Sequence, residues 1–451
     1  MQEKRSSFSG GLGFVLAAAA SAVGLGNLWR FPYLAAQHGG GIFILVYLIL
    51  VLTFGFSLVL MEISIGRKTK MSSIRAFTML HKKAGFLGFM GMLVPLIILP
   101  YYCVIGGWVI KYMVTFLTGQ GKAAADISYF GGFVGETFSP LTTFLIFLGV
   151  TSVVVALGVE KGVERASKWL MPILIIISLG VSIYIFTIPH AWDGIKYYLL
   201  PDFSKFSIKT VCAAMGQLFF SLSIAMGILI SYGSYVRDDV DISKSVNHIE
   251  IFDTSIALLS GFMIVPAVYV FGGEEGLATG GPGLMFKTLP QVFDRMTMGG
   301  VIGAAFFILV FFAAITSSIS VMEAVVSNLI DRFKMSRLKA VIVVVCISLV
   351  LGTASSLGNG AWSHIKIGGM DFLTFFDFLS NSLMMPILAL GTCILVGWIL
   401  GPKIIEDEVT KNGETFGRVK IFRVMIRYIA PIMLVVILVF YTLAQFEIIK
   451  Y

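Results

Sequence analysis

Three short stretches of this 451-residue chain set polar and charged side chains inside otherwise apolar runs. The first reads Ala20-Ser21-Ala22-Val23-Gly24-Leu25-Gly26-Asn27, then Leu28-Trp29-Arg30-Phe31-Pro32. Glycines, an amide, a cation and a proline in close succession read as a discontinuous helix. Its loosened turn frees carbonyl oxygens for a cation and N–H groups for an anion. A helix–helix contact through small residues accounts for the glycines and alanines but leaves Asn27 and Arg30 unexplained. The second stretch, Gly216-Gln217-Leu218-Phe219-Phe220-Ser221-Leu222-Ser223-Ile224-Ala225-Met226-Gly227, mixes hydroxyls and glycines again. Serines in a span also bond back to their own helix, so this stretch is the weaker signal by itself. In the third, Thr316-Ser317-Ser318-Ile319-Ser320 follows Ala313-Ala314-Ile315. This stripe of hydroxyls suits a hard, oxygen-seeking cation, with a helix-contact surface as the competing reading. Pro100-Tyr101-Tyr102 places two phenols among aliphatics, and a buried phenol needs a polar partner.

The elements that carry these stretches follow from composition. Hydrophobic residues make up 57% of the chain and charged ones 13%, against about 25% charged in a soluble chain. A water-soluble fold of this size cannot hide so much apolar surface. The chain is therefore read as an all-α integral membrane protein, which excludes a soluble enzyme, a nucleic-acid binder or a disordered tail. Apolar runs long enough to cross the bilayer as helices, roughly 20 residues each, lie near 12–35, 41–66, 87–117, 141–158, 167–188, 208–233, 250–272, 299–330, 338–355, 371–400 and 423–446. Basic residues cluster in alternate loops: Arg67, Lys68, Lys70, Arg75, Lys82 and Lys83, then Arg332, Lys334 and Arg337, then Lys403, Lys411, Arg418 and Lys420. By the positive-inside rule the N-terminus is expected in the cytoplasm and Tyr451 outside the cell membrane. The net charge of +8 is then topogenic, and no nucleic-acid partner is expected. Cys103, Cys212, Cys346 and Cys393 read as small buried apolar residues, and the scattered histidines form no zinc pattern.

Spans one and six are five apart, so a five-helix repeat re-enters the membrane upside down. The expected organisation is a repeat over 10–190, an inverted one over 206–400, and a further helix over 421–447. These residues, in this order, resemble the neurotransmitter:sodium symporter family over essentially the whole chain. The strings at 22–32 and 216–223 and the Thr-Ser-Ser at 316–318 carry the resemblance, and the architecture of one broken helix per half is described for such symporters. Eleven spans and short outer loops look like a bacterial or archaeal member. The resemblance implies a secondary transporter, not an enzyme, with an amino-acid substrate, the lipid bilayer as surroundings, and an open oligomeric state. It places the substrate carboxylate on the N–H groups of Leu25 and Gly26 and the hydroxyl of Tyr102. The ammonium meets carbonyls of Ala22, Phe220 and Ser221 and the Ser223 hydroxyl, and Gly24, Ile98, Phe220, Met226, Ser317 and Val321 line the side-chain pocket. Two sodium ions are implied. The first uses Ala22, Asn27, Ser221, the position of Asp253 and the substrate carboxylate. The second uses carbonyls of Ala20, Val23 and Ala313 with the hydroxyls of Thr316 and Ser317. An outer gate of Arg30 with Asp371, for which Asp377 competes, and an inner gate of Arg5 with Asp331 complete the set.

Two departures from the family pattern bear on function. Ala225 stands where many relatives have glycine. Asp253 stands where relatives commonly have Asn, and the Glu that many bacterial relatives carry one turn further on is here Ala257. Chloride-dependent animal relatives bind chloride nearby to offset the sodium charge, so Asp253 is expected to supply that charge covalently and make transport chloride-independent. The alternative is a helix-start role near the cytoplasmic end of the seventh span, favoured by the dipole. The expected function is inward sodium symport of a neutral, apolar or aromatic amino acid by alternating access. The rivals are a proton-coupled or uniport carrier of the same architecture and, more remotely, an ion channel, although no filter-like loop is evident.

Overall fold

The computed structural model describes residues 7–278 and 283–445, and Arg5 of the expected inner gate lies outside them. Among the described residues, nine helices are long and apolar enough to cross a membrane, and a bent pair makes a tenth span. The bent pair is α1, Gly11–Ala22, and α2, Gly26–Gln37, turned by 50°. The long helices are α3 (Gly41–Thr69), α5 (Lys82–Leu117), α6 (Phe138–Ala156), α7 (Val159–Phe186), α10 (Ile242–Gly273), α11 (Gly299–Phe333), α12 (Arg337–Leu357), α13 (Phe372–Ile399) and α14 (Val419–Gln445). A short helix, α4 (Ser73–Leu80), joins α3 to α5. The expected sixth span is also two pieces, α8 (Ile208–Ser221) and α9 (Ile228–Tyr235). Each of the eleven apolar runs thus has a helical counterpart, two of them broken.

The breaks have local causes. After Ala22, Val23 leaves the helical region at φ −74°, ψ 93°, where Gly24 follows and no regular turn is made. Between α8 and α9, Ser223, Ala225 and Gly227 all have positive φ, at 54°, 58° and 66°. A left-handed residue cannot continue a right-handed helix, and three at alternate positions unwind the whole turn. Only Gly227 adopts this conformation without a side-chain penalty. Ala225 is held in it by Glu62 of α3, whose Oε1 accepts from the Ala225 N–H at 2.8 Å.

Burial sorts the helices by role. The central stretch of α5 is almost wholly buried and packs extensively on α11, whereas α6, α7 and α14 leave most of theirs exposed, as lipid-facing helices do. The broken α1–α2 pair lies inside, against α10 and α11. Two expectations change. Helix α10 begins at Ile242, earlier than the 250 read from hydropathy, because two polar turns precede the apolar run. Asp253 therefore sits about three turns inside that helix, fully buried, and a helix-start role for it is excluded. Cys103, Cys212 and Cys393 are buried as anticipated, but Cys346 is exposed.

Candidate functional site

The two breaks face each other, and Asp253 closes the gap beside them. Its Oδ1 accepts from Asn27 Nδ2 at 2.8 Å and from Ser221 Oγ at 2.6 Å, and its Oδ2 accepts from Tyr47 OH at 3.1 Å. Asn27 Oδ1 in turn accepts from the Gly24 N–H at 3.3 Å. Four elements thus meet on one carboxylate: the first break through Asn27, the second through Ser221, α3 through Tyr47, and α10 itself. All four residues are buried to 1% exposure or less. A carboxylate so deep is costly without donors, and here three neutral donors surround it with no cation among the side chains. The chemistry of such a cluster, a buried carboxylate with neutral oxygens beside it, suits a small positive ion that would offset the charge.

Immediately next to this cluster is a small cavity among buried side chains. It is lined by Ser21, Ala22, Gly24, Leu25, Gly26, Ile98, Tyr102, Phe220, Ser223, Met226, Ser317 and Val321. Of the expected substrate-binding residues only Ser221 is outside the lining, where it bonds to Asp253 instead; Ser21 takes its place. No charged side chain is present in the wall. The hydroxyl of Tyr102 is buried there beside the Leu25 N–H and the Ser317 hydroxyl without a hydrogen bond of good geometry to either, so it can turn to a ligand oxygen. Two glycines are dictated by close approach. A Cβ at Gly24 would lie 2.5 Å from Ser317 Oγ and 3.3 Å from Tyr102 OH, and one at Gly26 would lie 2.5 Å from the Phe220 ring.

Phe220 separates this cavity from a larger one. Its ring also lines an outer vestibule of about 320 Å³ with Trp29, Arg30, Tyr33, Asp377 and Asn381. The Arg30 guanidinium lies 5.9 Å from the ring centroid, a cation–π arrangement. Phe220 thus lines both spaces and stands between them.

The second expected ion site is less assembled. Ala20, Val23 and Ala313 are buried where α1 packs on α11. Thr316 Oγ1 donates to carbonyls of its own helix, Ala313 at 3.1 Å and Phe312 at 3.0 Å. Ser317 Oγ instead donates to the carbonyl of Ser21 at 3.2 Å, which also accepts from Ser223 Oγ at 3.2 Å.

The outer gate differs from expectation. Asp371 caps α13, accepting from the N–H of Thr374 at 2.9 Å and its hydroxyl at 2.8 Å, and it forms no ion pair among the described residues. A carboxylate preceding a helix finds the free N–H groups of its first turn before any distant partner. Asp377, one and a half turns on, is the acid that shares the vestibule with Arg30, and it accepts from Asn381 Nδ2 at 2.6 Å and Tyr101 OH at 3.3 Å. At the inner face, Asp331 accepts from Ser72 through both N–H and Oγ, each at 2.7 Å. Glu323 pairs with Arg337 at 2.7 Å and accepts from Tyr235 OH.

Four participants were not singled out from sequence for these roles. Tyr47 completes the Asp253 cluster, Ser21 ties both breaks to α11, Gln217 donates to the Gly26 carbonyl at 3.0 Å, and Ser260 donates to the carbonyl of Asn27.

Comparison with known proteins agrees with this arrangement. The profile of the Sodium:neurotransmitter symporter family matches residues 5–124 and 132–451. The chain belongs to this family. A Haemophilus influenzae protein named an uncharacterized sodium-dependent transporter is 33% identical over 97% of this chain and 98% of its own length. A similarly named Bacillus subtilis protein is 30% identical over 97% of each. Among solved structures, that of MhsT in complex with L-phenylalanine has a TM-score of 0.87 at 35% identity, covering 97% of this chain and 99% of that one. The protein is accordingly a multi-pass sodium-dependent symporter of the family, and its two broken helices are those of the symporter fold.

Proposed function

We propose that this symporter imports a neutral, largely apolar or aromatic amino acid together with two sodium ions, across the cell membrane and without chloride. The observation that carries the reading is the buried cavity with a largely apolar wall, no charged side chain, and the Tyr102 phenol among its lining. An amino acid brings a carboxylate for Tyr102 OH and the N–H groups of Leu25 and Gly26. Its ammonium meets carbonyls of Ala22, Phe220 and Ser221 and the hydroxyl of Ser223. A charged side chain would find no counter-charge against Ile98, Met226 and Val321, and burying an unpaired ion is strongly unfavourable. The complex of MhsT with L-phenylalanine supports a substrate of this class.

The first sodium is assigned to Ala22, Asn27, Ser221, Asp253 and the substrate carboxylate, so that ion and substrate are desolvated as a neutral pair. Asp253 supplies the fixed negative charge, which makes an added anion unnecessary. The second is assigned to Ala20, Val23, Ala313, Thr316 and Ser317. Each sodium entering contributes about 2.3 kcal/mol per 100 mV of membrane potential besides its own gradient. Arg30 with Asp377 above Phe220 closes the outer path, and Asp331 with Arg5 the inner. The cytoplasmic N-terminus follows from the basic loops.

A thermal-shift screen of the standard amino acids in sodium against potassium tests the reading, followed by counterflow in proteoliposomes. Stabilisation by leucine, phenylalanine or a similar residue in sodium is expected. Tighter binding of glutamate or lysine would overturn the substrate class, equal binding in potassium would overturn the coupling, and absence of exchange would favour a channel.

A further inference from the structure

A second cavity, far from the substrate path, lies on the face where the basic loops gather. It measures about 600 Å³ and is lined by Ile74, Arg75, Thr78, Met79, Gly85, Phe89, Arg332 and Phe333. Three elements build it: the short helix α4, the start of α5 and the end of α11. Two guanidinium groups from different elements, Arg75 and Arg332, border one space, and among the described residues neither has an acidic or hydrogen-bonded partner. Several other arginines on this face are engaged: Arg67 with Glu408, Arg337 with Glu323, Arg418 with Glu250 and Arg423 with Glu406. The apolar part of the lining is open, with Met79, Phe89 and Phe333 all at least half exposed.

The joint is rigid. Ser72, just before α4, donates twice to Asp331, the residue next to Arg332, and Asn328 Oδ1 accepts from the N–H of Ile74 at 2.9 Å. Arg75 and Arg332 therefore ride on elements already pinned together. The cavity wall is thus polar and cationic in one part and greasy in another, and it sits at the ends of two spans, where headgroups meet hydrocarbon. A soluble anion would satisfy the arginines and leave the aromatic side uncovered.

We infer that this cavity binds one anionic phospholipid, its phosphate between Arg75 and Arg332 and the start of an acyl chain against Phe89, Met79 and Phe333. Planar guanidinium groups are matched to phosphate oxygens, and basic pockets between helices near the membrane surface are sites for such headgroups. Bidentate guanidinium–phosphate bonding would distinguish this site from the general attraction of a basic surface.

The test uses the purified full chain, delipidated in detergent and titrated with phosphatidylglycerol or phosphatidylcholine, with bound lipid counted by native mass spectrometry. One phosphatidylglycerol is expected to be retained in preference to phosphatidylcholine. The double variant Arg75→Gln/Arg332→Gln should lose that preference by about 25-fold, the product of roughly five-fold for each basic group, while still binding the amino-acid substrate, which shows that it is folded. The charge-conserving pair Arg75→Lys/Arg332→Lys should recover only part of the loss. Equal retention of phosphatidylglycerol by the wild type and the double Gln variant would overturn the site. Displacement of the lipid by millimolar inorganic phosphate would overturn it in favour of a free-anion site.

Discussion

The two expected ion sites are a few residues apart in the first span, yet they are held in different ways. Around Asp253, three donors from three other elements converge on a formal charge, and the donor groups of Asn27, Ser221 and Tyr47 all point across to α10. Around Thr316, the hydroxyl is satisfied by the carbonyls three and four residues back in α11. The first arrangement costs the fold a buried charge whether or not an ion is near, and so must be compensated by an extensive network. The second costs nothing, since a back-bonded threonine is at rest. The contrast teaches that an ion at the first site is matched to a preformed charge, whereas one at the second must draw oxygens away from bonds they already have.

Changes at the two sites should therefore separate stability from sodium response. Asp253→Asn keeps the shape but removes the charge. With about 4 kcal/mol of attraction at stake for a contact pair, sodium affinity is expected to fall on the order of 1000-fold, with substrate binding lost alongside, as read by tracer uptake against sodium concentration. The variant should gain a response to added chloride; unchanged sodium affinity would remove Asp253 from the site. The wild type should lose uptake as the pH falls, because a protonated Asp253 carries no charge to hold the ion, and a chloride requirement in the wild type would contradict the assignment. Thr316→Val with Ser317→Ala removes two oxygens at nearly constant volume. Sodium affinity should drop about 100-fold, at roughly 1.5 kcal/mol for each lost charged contact, while the melting temperature without sodium moves only a few degrees. A wild-type sodium titration would mean the second site lies elsewhere.

Tyr102→Phe tests the substrate end. Losing one bond to a carboxylate should weaken substrate about 10-fold and leave sodium binding without substrate unaltered, measurable by equilibrium binding. The smallest effect is expected from Ala225→Gly. Relief of a left-handed alanine, about 1 kcal/mol, is offset by lost packing and by the freer unfolded chain, so stability should barely change. The wider turn should raise uptake of the bulkiest side chains relative to leucine by roughly two- to three-fold, read by competition.

How much of this was legible in the sequence depended on whether the signal was local. Gly24, Gly26 and Asn27 disrupt an apolar run and betray the break by themselves, and the hydroxyls of 316–320 stand out for the same reason. Tyr47 lies in an unbroken aliphatic run, and its partner Asp253 is 206 residues away, so nothing nearby marks it. Ser21 works through its carbonyl, which every residue possesses. The outer gate was misassigned because Asp371 and Asp377 are both plausible by spacing. Only the backbone shows that the first begins its helix and is consumed as a cap. Glu62 is conspicuous as an acid in an apolar run, but its partner, the Ala225 N–H, is 163 residues away.

That anchor has a mechanical meaning. If α8 and α9 were to fuse, the Ala225 N–H would return to the carbonyl of Ser221 and Glu62 Oε1 would lose its donor, while its Oε2 already has none. An entire carboxyl group would then be stranded in a dry interior, at a cost of several kcal/mol. The interruption is consequently a permanent pivot, not a spring that alternately winds and unwinds. On the proposed alternating-access reading, the outer and inner arms of the sixth span would then act as two separate levers on one fulcrum, not as one helix that forms and breaks.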